Sequence, residues 1–406
     1  MKKTGKKGFQ LSIKRASVMI AEYEPQKTAI VYSDGYLAYN LGELHPMNPK
    51  RMKAAYGLIK ATGFFKNGVN LVPPVPATDE EILLSHDAKY VEILKDCSLT
   101  GNRRLDYGLG TEDCPVFPEM HDASALIVGG TLQALRTLLN TDHQIAFNVL
   151  GGLHHAQREL ASGFCYYNDI VVAIEYLWKE VGQQVRILYI DLDCHHGDGV
   201  QKAFFDTDRV MTISLHESGK YLYPNTGFTY EVGYQKGRFY SVNVPLLPYT
   251  DDSTYLQAFK EIVLPLWRRY DPEFVVVQNG VDTHFNDPQA DLILTTRVYH
   301  TLASLIVRMA RESGVKFIAT GGGGYDPASI ARSWCAFLSG YTGIELPDYV
   351  PDEWVQYCLK EKIVLKSKPP IPYFDDPIDI SKIANFEMYK KSNLQTIENV
   401  KRMFKI

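Results

Sequence analysis

Seven continuous runs of apolar residues punctuate the chain, at 28–32, 143–149, 185–190, 210–215, 239–244, 274–278 and 315–319. Most of them show no regular polar–apolar alternation, so such a run predicts a strand buried on both faces, the mark of a parallel sheet. Between the runs, apolar positions recur at three- and four-residue spacing. That spacing predicts helices over 49–65, 79–96, 123–140, 169–180, 254–267, 297–312 and 328–339. Alternating strands and helices predict an α/β fold: a central, mostly parallel sheet with a helical layer on each side. No repeat or low-complexity linker divides the chain. The expected organisation is a lead-in tail over 1–27, a main domain over 28–345, and a mostly helical extension over 346–406 that packs on the same domain.

Four of the predicted strands run into chemically unusual sequence. The strand at 143–149 leads to Gly151-Gly152-Leu153-His154-His155, and that at 274–278 leads to Gln278-Asn279-Gly280-Val281-Asp282. The strand at 315–319 leads to four glycines and Tyr325, and that at 185–190 to Asp191-Leu192-Asp193-Cys194-His195-His196-Gly197-Asp198-Gly199. In open α/β sheets, ligands bind beyond the carboxyl ends of the strands, so four such ends at one edge predict a single site. In an extended segment Asp191, Asp193 and His195 point the same way. One carboxylate and one imidazole from that face make half of a zinc-type ligand set. A solvated loop capping the strand is the plainer alternative, but charged groups are seldom buried unless paired or ligating.

Composition narrows the function. The net charge is −4 over 406 residues, which provides no basic field for direct contact with nucleic acid. No stretch approaches the ~18 apolar residues of a membrane span. The basic start, MKKTGKK, has no apolar segment after it and reads as a floppy tail rather than a secretion signal. The six cysteines form no C-x-x-C pair, which fits reduced thiols in a cytoplasmic protein.

The segments GGLHHA (151–156), ASGFCYYND (161–169), DLDCHHGDGV (191–200), QNGVD (278–282) and GGGGY (321–325) resemble, in order and spacing, the motif set of the zinc-dependent histone deacetylases. HPMNPKRM (45–52) and SLHESGKYLYPNTG (214–227) are most similar to the bacterial and archaeal acetoin-utilisation deacetylase branch. The resemblance implies an arginase/deacetylase-like three-layer fold, with 28–345 as the catalytic domain. It implies one catalytic Zn²⁺, or Fe²⁺, and hydrolysis of N-acetyl-lysine to lysine plus acetate.

Carried over residue by residue, the resemblance makes Asp193, His195 and Asp282 the metal ligands. His154 pairs with Asp191 and His155 with Asp198. His155 is then the general base and later acid, and His154 a charged partner. Tyr325 is the oxyanion donor, with Gly323 before it at the substrate. Gly163, Phe164 and Tyr223 form the acyl-lysine tube, Tyr223 standing where histone-directed enzymes usually have phenylalanine. Gln289 stands where an apolar residue is expected. Asp113 matches a rim aspartate holding the substrate backbone, and Arg51 a buried arginine on the acetate path. The family also carries K⁺. An inner site would use Asp191, Asp193, His195, Ser214 and Leu215, and an outer one Phe204, Thr207, Val210 and Tyr240.

Each residue also has an ordinary reading: Asp282 as a helix cap, the histidines as buried structural groups, Tyr325 as a core tyrosine. A two-manganese arginase-type site would need a second acidic ligand where the chain has Thr283-His284. An acetylpolyamine deacetylase would use the same chemistry on a smaller cation. A non-catalytic acetyl-lysine binder would be expected to have lost a ligand, a histidine or the tyrosine. The expected substrate is an acetylated protein, such as an acyl-CoA synthetase, or a small acetylated amine.

Overall fold

Among the described residues, eight strands build one sheet: β1 (Thr28–Val31), β2 (Asn70–Val72), β3 (Ile145–Asn148), β4 (Ile187–Asp191), β5 (Val210–Glu217), β6 (Ser241–Leu246), β7 (Phe274–Gln278) and β8 (Phe317–Thr320). This is a computed structural model, and it describes residues 26–406. The tail expected over 1–27 lies almost wholly outside them. The strand order is β2-β1-β3-β8-β7-β4-β5-β6, and every pairing is parallel. The apolar runs foretold every strand except β2. That strand has three residues, mostly exposed at the sheet's edge, and so carries no apolar run.

The four strands with unusual ends, β3, β8, β7 and β4, are neighbours in the middle of the sheet. Their last residues lie in one register row: Asn148 beside Thr320, Thr320 beside Gln278, and Gln278 beside Asp191. Residues 150 to 155, 192 to 198, 279 to 287 and 321 to 325 therefore leave the sheet side by side.

Helices cover both faces, because strands buried on both sides need two covers. Met120–Asn140 lies over β1, β3 and β8 and packs on Asp169–Val181. Pro327–Thr342 is buried along its whole length, held between Pro49–Ala61 and Thr296–Ser313. Its Trp334 meets the β3 side chain Phe147 edge-on, with ring centroids 6.0 Å apart.

Two expected helices are interrupted. The segment 79–96 forms Asp79–Ile82 and then Ala88–Thr100. Asp87 caps the second helix through the Lys89 N–H, while His86 turns inward and its Nε2 accepts the Asn168 N–H at 2.9 Å. The segment 254–267 runs from Asp252 to Tyr270 but takes a π turn at Phe259–Val263. Pro265 follows that turn; it has no N–H to donate, and its ring crowds the carbonyl four residues back.

The extension contributes Asp352–Lys360 and Phe386–Phe404, the latter lying against the edge strand β6. Buried Asn393 fastens it, accepting the Leu247 N–H and donating to Thr250 Oγ1. Among the described residues no helix is long and apolar enough to cross a membrane. All six cysteines are free and buried.

Candidate metal centre and active site

Asp193, His195 and Asp282 come together at the ends of β4 and β7, and their ligand atoms all lie within 4.8 Å of one another. His195 Nδ1 stands 2.9 Å from Asp282 Oδ2 and 3.2 Å from Asp193 Oδ1. The other carboxylate oxygens are already held. Asp193 Oδ2 accepts the Gln278 amide at 2.8 Å and the Gly323 N–H at 2.7 Å, and Asp282 Oδ1 accepts the Cys194 N–H at 2.7 Å. One oxygen of each acid is thus left to face the imidazole nitrogen. All three side chains are buried.

Electrostatics agree with this arrangement. Burial and the neighbouring Asp193 charge push Asp282 well above the usual carboxylate range. Burial would lower His195, but the two carboxylates raise it. Two buried acids around one nitrogen are an anionic cluster that a divalent cation would neutralise, and the donor set fits Zn²⁺ or Fe²⁺. No other group among the described residues has this geometry. His284, in the place where a second metal would need a ligand, donates instead to Asp375 at 2.9 Å.

Beside the cluster sit the adjacent histidines, with ring centroids 4.0 Å apart. His154 Nδ1 donates to Asp191 Oδ2 over 2.8 Å, and His155 Nδ1 donates to Asp198 Oδ1 over 2.7 Å. The pairs differ in surroundings. Asp191 is fully buried and also accepts the Tyr189 hydroxyl, and His154 Nε2 lies 3.9 Å from Asp193. Burial alone would lower His154, but Asp191 and Asp193 outweigh it and lift its pKa to about 9. His155 is lowered by burial and by the nearby His154 charge, against the pull of Asp198. The two imidazoles are therefore pushed in opposite directions, His154 toward the charged form and His155 toward the neutral one.

The turn presenting these histidines is fixed from below. Buried Asp169 accepts the N–H groups of Gly152 and Leu153, and Asn168 donates to the carbonyls of His154 and Ala156. A Cβ on Gly163 would lie 2.4 Å from the His155 ring, so the chain at 163 can approach the histidine only through glycine.

Tyr325 reaches the site from the end of β8. Its N–H donates to buried Asp287 at 2.6 Å, and the Arg51 guanidinium lies 5.4 Å from its ring centroid. Arg51 is itself buried, donating to the carbonyls of Gly322 and Gly324. A small cavity lies between Met47, Arg51, His154, His155, Asp193 and Tyr325.

Phe164 meets Tyr325 edge-on at 5.9 Å, whereas Tyr223 lies 5.1 Å from His155 and 6.4 Å from His195. The two aromatic rings thus flank different sides of the site. Asp113 is exposed, and its carbonyl faces His45, whose ring packs 4.6 Å from Phe164. Gln289 is half-buried and donates its N–H to Asp287.

The expected K⁺ ligands fall in two groups. Asp191 and Ser214 are register partners on β4 and β5, and the Leu215 carbonyl accepts from Tyr255. Phe204 and Thr207 lie in the turn after the helix Asp198–Ala203, Val210 opens β5, and the Tyr240 carbonyl accepts the Thr212 N–H.

Sequence reasoning passed over several supporting residues. Gln278 and Asp169 sat inside recognised segments, and burial alone reveals what they hold. Asp375 belongs to the extension, in which the sequence marks no functional residue. Its buried carboxylate accepts from His284, Arg332 and Thr296. No sequence signal links it to a loop ninety residues earlier.

Comparison with known proteins bears on this geometry. A family model described as "Histone deacetylase domain" matches residues 45–341. The chain is 39% identical over 362 residues to the acetoin utilization protein AcuC of Bacillus subtilis, covering 87% of this chain and 91% of that protein. Its counterpart in Staphylococcus aureus strain MRSA252 is 39% identical over 335 residues, covering 81% and 85%. Among solved structures, an HDAC homologue complexed with SAHA superposes with a TM-score of 0.81 at 30% identity, covering 93% of this chain and all 100% of that one. An HDAC homologue from Aquifex aeolicus gives 0.78 at 31% identity, with the same coverage.

Proposed function

This chain belongs to the histone deacetylase family, with the arginase/deacetylase-like fold, and on that premise we propose that it removes acetyl groups from lysine side chains of proteins. The proposed cofactor is one Zn²⁺ or Fe²⁺ held by Asp193, His195 and Asp282. When bound, such a cation polarises the acetyl carbonyl and acidifies water. The remaining work falls to the chain's own groups. His155 Nε2, neutral and fixed by Asp198, takes the proton from water and later delivers it to the departing lysine amine. His154, charged and fixed by Asp191, stays protonated beside the developing negative charge. The Tyr325 hydroxyl donates to that oxyanion.

In this reading Phe164 and Tyr223 enclose the lysine stem, with Gly163 and Gly323 letting backbone approach. Asp113 holds the substrate backbone at the rim, and acetate leaves past Arg51. We assign K⁺ to Asp191, Asp193, His195, Ser214 and Leu215, with a second ion at Phe204, Thr207, Val210 and Tyr240. The catalytic domain is assigned to 28–345. Likeness to acetoin utilization proteins favours a metabolic protein, such as an acyl-CoA synthetase, as the acetylated partner.

The observation that carries the reading is the pair of adjacent histidines, each bonded through Nδ1 to its own carboxylate, Asp191 and Asp198, beside three converging ligand atoms. Kinetics on an acetyl-lysine peptide and on an acetylpolyamine, each with wild type and Asp113→Ala, test it. The expected result is a raised KM for the peptide and little change for the polyamine, which has no backbone to hold. Unchanged peptide kinetics together with faster polyamine turnover would transfer the function to small acetylated amines.

A further inference from the structure

Asp198 has a second partner besides His155. Its Oδ1 accepts from His155, while its Oδ2 accepts the Gln157 amide Nε2 at 3.3 Å. The Gln157 carbonyl oxygen in turn accepts the Lys202 ammonium at 2.5 Å. Asp198 and Lys202 are four residues apart on the helix Asp198–Ala203, so both stand on one face and Gln157 bridges them. The bridge starts from a rigid point. Gln157 lies two residues after His155, its N–H is held by the Leu160 carbonyl at 2.9 Å, and Asn168 holds the preceding carbonyl.

An amide can present either its oxygen or its nitrogen to a carboxylate. Here the ammonium decides, because it can donate only to the oxygen, and the N–H₂ group must then face Asp198. We propose that Gln157 is a positioning residue for His155, oriented by Lys202, and that the two fix the rotation of the Asp198 carboxylate. A carboxylate held at both oxygens keeps Oδ1 in line with His155 Nδ1, and so keeps Nε2 free of its proton and aimed at the site. Gln157 and Lys202 line a cavity of about 270 Å³ that shares no residue with the one beside Tyr325. The bridge therefore stands outside the space the substrate occupies. This inference rests on His155 being the base.

Gln157→Met, Gln157→Glu, Lys202→Met and His155→Ala are compared on a fluorogenic acetyl-lysine peptide with the metal-loaded enzyme. Gln157→Met should lower kcat roughly 3- to 10-fold with KM nearly unchanged, less than the 10- to 100-fold typical of groups one bond closer to a metal site. Gln157→Glu is the closer match in shape but sets an oxygen against Asp198, so it should be slower than Gln157→Met. Lys202→Met, at an exposed position, should act in the same direction more weakly. Wild-type kcat in either Gln157 variant, a change confined to KM, or Gln157→Glu faster than Gln157→Met overturns the positioning role, provided His155→Ala is inactive. Turnover retained by His155→Ala overturns the assignment of the base instead.

Discussion

The backbone N–H of Gly323 donates to Oδ2 of Asp193 across 2.7 Å, joining the turn that carries Tyr325 to the carboxylate at the end of β4. A Cβ at this glycine would stand 2.0 Å from Asp282 Oδ2 and 2.9 Å from Asp193 Oδ2. Both acids would have to move. Gly323→Ala should therefore weaken metal binding by roughly 10- to 100-fold, the usual cost of disturbing the groups that orient ligands. Competition with a chromophoric chelator measures this without any activity assay. Wild-type affinity would mean that the turn does not set the ligand geometry.

One metal per chain is expected at this centre. Treatment with a strong chelator should abolish deacetylation, and Zn²⁺ or Fe²⁺ should restore it. Because a bound ion stabilises only the folded chain, Tm should fall on chelation and recover on reloading. Elemental analysis finding two tightly bound ions at the catalytic centre would favour the arginase-type alternative.

Tyr325→Phe should lower kcat by roughly 10²–10³ while leaving KM within a small factor, since the hydroxyl serves the transition state rather than the bound substrate. The ring would remain packed on Phe164 and under Arg51, so folding should be preserved. Near-normal kcat at saturating peptide would remove Tyr325 from the mechanism.

His86 should make the fold sensitive to acid. Burial lowers its pKa to about 4, and both ring nitrogens are engaged, Nδ1 with the Arg158 carbonyl and Nε2 with the Asn168 N–H. The ordinary value in the unfolded chain is about 6.5, so between the two values the unfolded chain binds a proton that the folded one does not. Its contribution, of order 3 kcal/mol, is complete above pH 6.5 and is lost as pH falls toward 4. Urea melts across that range should show a shallower pH dependence for His86→Asn than for wild type. Parallel curves would show that His86 does not govern it.

Much of this protein is set locally and is legible in the chain. Continuous apolar runs at β3, β4, β7 and β8 can be satisfied only in a sheet covered on both faces, so they foretold the parallel core. The carboxylates and imidazoles clustered after β4 marked a metal site, although Asp193 and His195 follow the strand in a bend rather than in extended backbone, and the glycines before Tyr325 marked a close approach. What the chain alone could not decide was set by packing between distant segments. The register Asn148–Thr320–Gln278–Asp191 depends on strand order, which no local pattern records. The contrast between His154 and His155 depends on the Asp193 charge beside the first and on the first histidine's own charge beside the second. The bridge from Lys202 through Gln157, and the reach of Asp375 from the extension to His284, are single hydrogen bonds between segments far apart in sequence. Burial and hydrogen-bond geometry act through space, so they exist only once the strands are side by side.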